Sequence, residues 1–309
     1  MTPRICVVGS CNVDLIVRTP RMPRVGETLA GSGFLPCHGG KGANQAVMAA
    51  RLGASVAMVG RVGNDLHGQQ IKQNLTDHGI DGRHILVDEG LPSGVAVILV
   101  DDDARNCIVV VAGANGALTP ADVRQASAVV ASSAVLLCQL EVPLETTAEA
   151  LHLARASGVR TVLNPAPARP LPPEVLALVD VLVLNETELE MLAGMPVGRA
   201  EDVGPAVAAT FGRGPDLVVV TRGEHGAVVF DRGAATVIAP FAVEAVDTTG
   251  AGDAFVGSLA VFLAEEVGFA EAAQRASAAA ALSVTRPGTQ PSFPSRAEVE
   301  TFLQRIALL

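Results

Sequence analysis

Asp247-Thr248-Thr249-Gly250-Ala251-Gly252-Asp253, running into Ala254 to Ala264, is the stretch from which the rest of the chain can be read. Phe241-Ala242-Val243-Glu244-Ala245-Val246 before it has the β-rich, partly alternating look of a strand. The residues after it are apolar on nearly every face, which suits a buried helix. Strand, tight glycine turn and first helical turn form a connection typical of α/β folds. Such a turn leaves backbone N–H groups without partners at the positive end of the helix dipole. An anion can settle there, and glycines let its oxygens come close to the backbone. Asp253 falls in the same turn. Its charge hinders a site that merely holds phosphate but serves one where a proton must be removed. A helix cap with glycines serving the turn is the plainer alternative, and this stretch alone leaves both open.

Outward from that stretch the same alternation recurs. Ile5-Cys6-Val7-Val8-Gly9, Val56-Ala57-Met58-Val59, Ala134 to Leu140, Arg160 to Leu163, Val181 to Leu184 and Leu217 to Val220 are apolar runs of strand length. Between them lie helical patterns ending at Leu52 and spanning Leu66 to His78, Ala121 to Ala131 and Glu145 to Ser157. Repeated βα units predict an α/β fold, a doubly wound, mainly parallel central sheet with helices on both faces. Ala227 to Phe230 returns as a hairpin strand. Leu15 to Phe34, broken by Pro20, Pro23 and Gly26, reads as edge strands outside the main sheet. Val95 to Val100 and Ile108 to Val111 flank the polar turn Asp101-Asp102-Asp103-Ala104-Arg105-Asn106, whose acidic run lacks the further ligands of a calcium loop. The expected organisation is one domain over residues 1–309, with a small β-sheet lid inserted at about 15–34 and 93–111.

Composition narrows the function. The 309 residues are 49% apolar and carry a net charge of −10, with no basic tract, which argues against a nucleic-acid surface. No apolar run approaches the roughly 18 residues of a membrane span. Met1-Thr2-Pro3-Arg4 runs straight into a strand pattern with no signal peptide, and the five cysteines have no C-x-x-C spacing. Both point to a reducing, cytoplasmic setting.

The remaining signals are polar clusters directly after strands. Asn12 and Asp14 alternate, so an extended backbone would put both side chains on one face, where they could grip vicinal hydroxyls or serve turn chemistry. His38-Gly39-Gly40-Lys41-Gly42-Ala43-Asn44-Gln45-Ala46 again offers free amides before a helix. It is no Walker loop, because position 35 is Leu and Gly42 stands where a magnesium-binding hydroxyl would be. Nor does the first strand lead into a dinucleotide fingerprint. Gln139-Leu140-Glu141, Asn164-Pro165-Ala166-Pro167, Asn185-Glu186-Thr187-Glu188 and Thr221-Arg222-Gly223-Glu224-His225-Gly226 also follow strands. In a parallel sheet such residues converge on the C-terminal edge, where ligands bind.

Together these residues resemble the ribokinase branch of the carbohydrate kinase family that also contains adenosine kinase and some fructokinases. The Asp247–Asp253 stretch is similar to that family's C-terminal signature and the His38–Ala46 stretch to its N-terminal one. The resemblance runs from Gly9-Ser10-Cys11-Asn12-Val13-Asp14 to Thr285-Arg286-Pro287-Gly288-Thr289-Gln290-Pro291-Ser292. It implies an ATP-dependent kinase acting on the 5-hydroxyl of ribose, another sugar or a nucleoside. The absence of Trp and Tyr disfavours the nucleoside. A non-catalytic sugar-binding protein on the same scaffold is the other alternative, and the intact Asp253 weighs against it.

By the same resemblance Asn12, Asp14, Gly40, Lys41, Gly42, Asn44 and Glu141 would surround the sugar, and Asp253 would be the general base. Gly250, Ala251, Gly252 and Asp253 would offer an anion hole. Asn185, Thr221, Arg222, Gly223, Glu224, His225 and Gly226 would line the ATP site with Ser277, which stands where relatives often carry a histidine. Glu188 would meet Mg²⁺ through water. A K⁺ site would use Asp247 and Ser292 with carbonyls of Thr249, Ser283, Arg286 and Gly288. The lid would pair two subunits into a homodimer.

Overall fold

The computed structural model describes residues 2–103, 105–211, 214–232 and 234–308; Ala104 of the acidic turn lies outside them. The chain runs through β1 (Arg4–Val8), β2 (Asn12–Thr19), β3 (Gly33–Gly39), α1 (Lys41–Arg51), β4 (Ser55–Gly63), α2 (Leu66–Asp77), β5 (Asp81–Asp88), β6 (Gly94–Asp101) and β7 (Asn106–Val111). It continues with α3 (Pro120–Gln125), α4 (Ser127–Ala131), β8 (Val135–Cys138), α5 (Leu144–Ala156), β9 (Arg160–Leu163), α6 (Pro173–Leu176), β10 (Val181–Asn185), α7 (Glu186–Ala193), α8 (Ala200–Phe211) and β11 (Leu217–Thr221). It ends with β12 (Ala227–Asp231), β13 (Ala234–Ile238), α9 (Ala251–Ala264), α10 (Phe269–Ser283) and α11 (Arg296–Ala307).

Nine strands form the main sheet in the order β13-β12-β11-β10-β9-β8-β1-β4-β5. All pairs from β11 to β5 are parallel, and β12 and β13 close one edge antiparallel. The strands are apolar at nearly every position because both faces are covered. Ile5 and Val7 enter the core built largely on α1, α9 and α10. Cys6 and Val8, pointing the other way, enter the one built on α3 to α8. Val181 and Val183 of β10 alternate with Leu182 and Leu184 in the same fashion. The expected fold class is the one the molecule adopts.

A separate four-stranded sheet, β3-β2-β6-β7, stands apart from the main one. It begins earlier than the sequence suggests, at Asn12, so Asn12 and Asp14 lie on β2 itself. β1 pairs with β4 on one side and β8 on the other. Connections therefore leave β1 and β8 in opposite directions, opening a crevice at their C-terminal ends.

Two sequence expectations are corrected. Phe241 to Val246 is not a strand. Its amides find no sheet edge; those of Val246 and Asp247 donate instead to the Val284 carbonyl at the end of α10, at 2.7 and 3.1 Å. Ala121 to Ala131 is not one helix but two, divided at Ala126, whose backbone (φ −93°, ψ 8°) leaves the helical region. The first of them starts earlier, at Pro120, behind a Thr119–Asp122 capping box.

Candidate active site

The site is assembled where α1 crosses α9. A Cβ on Gly257 would lie 2.6 Å from the Gln45 carbonyl and 2.9 Å from the Met48 Cβ, so only glycine permits so close a crossing. Asp253, one turn before Gly257 on α9, then meets the start of α1. Asn44 donates from Nδ2 to Asp253 Oδ2 at 2.9 Å, and Gln45 donates from Nε2 to Oδ1 at 2.9 Å. Asp253 is 7% exposed. Gly250 caps the helix in the left-handed region (φ 78°), and the amides of Gly252 and Asp253 have no partner among the described residues. These are the amides of the base candidate itself and of the residue before it, at the end of α9 where an anion would be favoured.

The small sheet supplies the other wall. Asn12 and Asp14 are both buried on β2. Asn12 Oδ1 accepts from Asn115 Nδ2 at 2.7 Å, which turns the Asn12 amide nitrogen away from Asn115 and leaves it free to donate. Asn115 is itself fixed by the Cys11 backbone, accepting from its N–H at 2.9 Å and donating to its carbonyl at 3.0 Å. The Asp14 carboxylate lies against Gly39, where a Cβ would stand 2.2 Å from both oxygens. Burial, reinforced by Glu141 and Asp253 and opposed by Lys41, lifts the Asp14 pKa to about 7. Glu141 follows β8 and accepts from Ser10 Oγ at 2.5 Å and from the Lys41 amide at 2.9 Å. Gly40 makes this possible: its φ is 86°, and a Cβ would come within 2.7 Å of the Asn12 amide. Gly42 closes the loop by donating to Ser10 Oγ at 3.3 Å. The charge of Asp253 raises the Lys41 pKa against the effect of burial, with Glu141, Glu188 and Asp14 adding to it.

Further along the edge, Asn185 at the end of β10 lies in register with Thr221 at the end of β11. Asn185 and Glu188 form a reciprocal capping box, at 2.8 and 2.9 Å, so the plain structural role is realised. One Glu188 oxygen remains for a ligand. Burial pushes the Glu188 pKa up, and Lys41 acts in the opposite direction. Arg222 pairs with Glu186 at 2.9 Å. Gly223, Glu224 and His225 make one 3-10 turn, closed by Gly226 at φ 81°. Ser277 is half-buried on α10, which packs on β12 and β13, and no described contact joins it to these residues.

Asp247 ties the turn to the C-terminal segment, accepting from the Thr249 and Gly288 amides at 2.9 Å each. Burial works against ionisation, but these hydrogen bonds hold its carboxyl below the usual carboxylate range. Ser283 and Ser292 are buried, donating to the Ala280 and Thr289 carbonyls at 2.8 Å, and Arg286 pairs with Glu298.

The model of the pfkB family carbohydrate kinases matches residues 2–296. The chain belongs to this family. A ribokinase of Haemophilus influenzae is 42% identical over 98% of this chain and 99% of its own length. A deoxyribokinase of Salmonella typhimurium is 40% identical over 98% of this chain and 99% of its own. The structure of Arabidopsis thaliana ribokinase complexed with ribose and ATP superposes with a TM-score of 0.93 at 35% identity, covering 98% of this chain and 99% of that one.

Several polar residues of this carbohydrate kinase site carry no signal of their own in the sequence. Asn115, Gln45, Gln139 and Gln290 are each at most 3% exposed and hydrogen-bonded to site residues. Gln45 follows Asn44 within the glycine stretch, and Gln139 precedes Glu141 by two, so proximity in sequence is the one hint. Among the described residues no group of three or more His, Cys, Asp and Glu side chains could hold a metal, and no helix is long and apolar enough to cross a membrane.

Proposed function

We propose that the chain transfers the terminal phosphoryl group of ATP to the 5-hydroxyl of D-ribose, giving ribose 5-phosphate and ADP. The observation that carries this is the Asp253 carboxylate, fixed through both oxygens beside free helix-terminal amides and enclosed with Asn12, Asp14, Lys41 and Glu141. Asp253 takes the proton of the hydroxyl as the phosphoryl group moves, since a carboxylate is too weak a base to deprotonate an alcohol in a separate earlier step. The amides of Gly252 and Asp253 receive the charge that spreads over the transferring oxygens; that of Ala251 donates to the Thr248 carbonyl at 3.2 Å, which takes it out of the expected anion hole. Asn12 donates to a sugar hydroxyl, while Asp14 and Glu141 accept from others. Asn185, Thr221 and the 222–226 turn hold the nucleotide, with Ser277 toward the base.

Mg²⁺ fits this edge through water on the free Glu188 oxygen, and it neutralises phosphate charge when bound with ATP. Asp247, tied to the Thr249 and Gly288 amides, would share a monovalent cation with Ser292 and the carbonyls of Thr249, Ser283, Arg286 and Gly288, one charge among neutral oxygens. Turnover is expected to be faster in K⁺ than in Na⁺ at equal ionic strength. Equal rates in both salts, with no cation requirement, would remove that site.

The small sheet acts as a lid and as a dimer contact. β7 is an edge strand with Ile108, Val109, Val110 and Val111 all more than half exposed, and Phe34 and Leu35 on β3 are similarly bare. A long apolar edge of this kind invites strand pairing with a second copy. Val109→Lys is expected to convert a dimer to a monomer in light scattering; an unchanged mass would place any interface elsewhere.

Asp14 gives the site a pH dependence. A carboxyl whose folded pKa is raised from 3.8 to about 7 stabilises the free protein at low pH, fully below about 3.8, and this contribution is lost as pH rises through about 7. A sugar hydroxyl donating to Asp14 is held more strongly by the ionised form. Ribose affinity is therefore expected to rise about tenfold from pH 6 to pH 8, the ratio of ionised fractions for a pKa near 7. Calorimetric titrations at the two pH values check this, and a flat dependence would exclude Asp14 as an acceptor.

The 40% identical deoxyribokinase supports a second reading, with 2-deoxyribose as acceptor. An ADP-release screen over ribose, 2-deoxyribose, fructose and adenosine decides between them. Preference for another acceptor would replace ribose while leaving the phosphoryl transfer in place, and no ADP release with any acceptor would sink the kinase reading.

A further inference from the structure

The Asp253 carboxylate is the end of two chains of side-chain amides, and their polarity is forced by its charge. An ionised carboxylate only accepts, so Asn44 and Gln45 must both turn their NH₂ groups toward it. Their carbonyl oxygens then face away and need donors. Gln290 supplies one, donating from Nε2 to Asn44 Oδ1 at 2.9 Å, and Gln139 the other, donating from Nε2 to Gln45 Oε1 at 2.6 Å. The first chain continues outward, where Asn74 on α2 donates to Gln290 Oε1 at 2.8 Å. Every bond in both chains points its hydrogen toward Asp253. Gln139 and Gln290 come from the segment after β8 and from the 3-10 turn before α11, far apart in sequence, yet both are at most 3% exposed. The Nε2 group of each therefore meets its partner in a place where water cannot substitute, and the Gln139 carbonyl oxygen is left without a partner among the described residues.

We infer that Gln290 and Gln139 are positioning residues for phosphoryl transfer, orienting Asp253 through Asn44 and Gln45. This rests on the reading of Asp253 as the base. With one amide on each oxygen, the carboxylate cannot rotate, and its remaining lone pairs keep a fixed direction toward the acceptor hydroxyl. The last donors of the two chains, Asn44 and Gln45, meet the carboxylate itself, while the donors behind them meet neutral amide oxygens and hold Asn44 and Gln45 in that orientation.

Gln290→Glu and Gln290→Met separate this role from packing. Met fills the space without donating: the Asn44 oxygen loses its partner but its NH₂ stays drawn to Asp253. Glu matches the shape of Gln but can only accept, so Asn44 is pulled round and presents its oxygen to the base. The expected order of kcat is wild type, then Gln290→Met, then Gln290→Glu, the last reduced roughly 100-fold, as misplacement of a reacting group by about 1 Å can do. KM for the sugar should rise by no more than about tenfold in Gln290→Glu, the loss of one hydrogen bond from the turned Asn44, and stay near the wild-type value in Gln290→Met. Gln139→Met should lower kcat about tenfold in the same manner. It carries the test if Gln290→Glu does not fold, which thermal melting and gel filtration report. Asp253→Asn is measured alongside. If that variant is inactive while folded Gln290→Met, Gln290→Glu and Gln139→Met all turn over within twofold of wild type, the relay is overturned and the base assignment stands. A loss confined to KM also overturns it. If Asp253→Asn itself retains turnover, the base assignment falls, and the relay with it.

Discussion

Asp253→Asn is expected to lower kcat by on the order of 10⁴-fold, the upper end of what a general base contributes. The substitution is close to isosteric, but it does not leave the surroundings indifferent. Both carboxylate oxygens accept from amides, Oδ2 from Asn44 and Oδ1 from Gln45, at 2.9 Å each. An asparagine presents a donor on one side, which faces an NH₂ group and forces either Asn44 or Gln45 to turn. Asn44 borders the proposed sugar site, so ribose affinity should weaken, though by no more than about tenfold, the loss of one ordinary hydrogen bond. Asp14, Glu141 and Asn12 remain. Single-turnover kinetics with calorimetry of ribose binding separates the two effects. Near-native turnover would end the assignment of Asp253 as base.

Gly250→Ala should be the second most damaging change, for a steric reason. Gly250 has φ 78°, a region that costs an L-residue about 1–2 kcal/mol. Its new Cβ would also lie 2.4 Å from Thr289 Cγ2 and 3.5 Å from Phe293 Cε1. Thr289 is 3% exposed and Phe293 fully buried, so neither can withdraw. The turn must shift instead, taking with it the amides of Gly252 and Asp253. Loss of such donors to a developing anion costs about 10²- to 10³-fold in kcat. Sugar affinity, measured without nucleotide, should change little. Gly252→Ala is a control for folding alone, because nothing lies within 4 Å of its added Cβ, while its amide belongs to the same proposed anion site. If Gly250→Ala keeps wild-type kcat, the turn does not hold the transferring phosphoryl group.

Much of the frame was legible because it depends on local pattern. Runs such as Leu217-Val218-Val219-Val220 can only be strands buried on both faces, and their alternation with amphipathic helices leaves few topologies. Asn185-Glu186-Thr187-Glu188 read as a helix cap and is one, since a capping box closes within four residues. Phe241 to Val246 misled because β-rich composition describes a preference that only a neighbouring strand can satisfy, and its amides bond to the end of α10 instead. The strands of the small sheet are legible only approximately, and the position of Asn12 and Asp14 on the first of them follows from the pairing of β2 with β3 and β6.

By itself, the sequence determined the doubly wound architecture, the glycine turns and the polar residues that end the strands, all properties of neighbours in the chain. The tertiary structure alone decided how those residues act on one another. Asn44 and Asp253 are 209 positions apart, and their hydrogen bond exists because Gly257 lets α1 and α9 come together. The same crossing gives Gln45 its bond to Asp253, and burial beside Glu141 and Asp253 lifts the Asp14 carboxyl toward neutrality. Orientation of an amide and desolvation of a carboxylate are set by what surrounds them in space, and one-dimensional order contains neither.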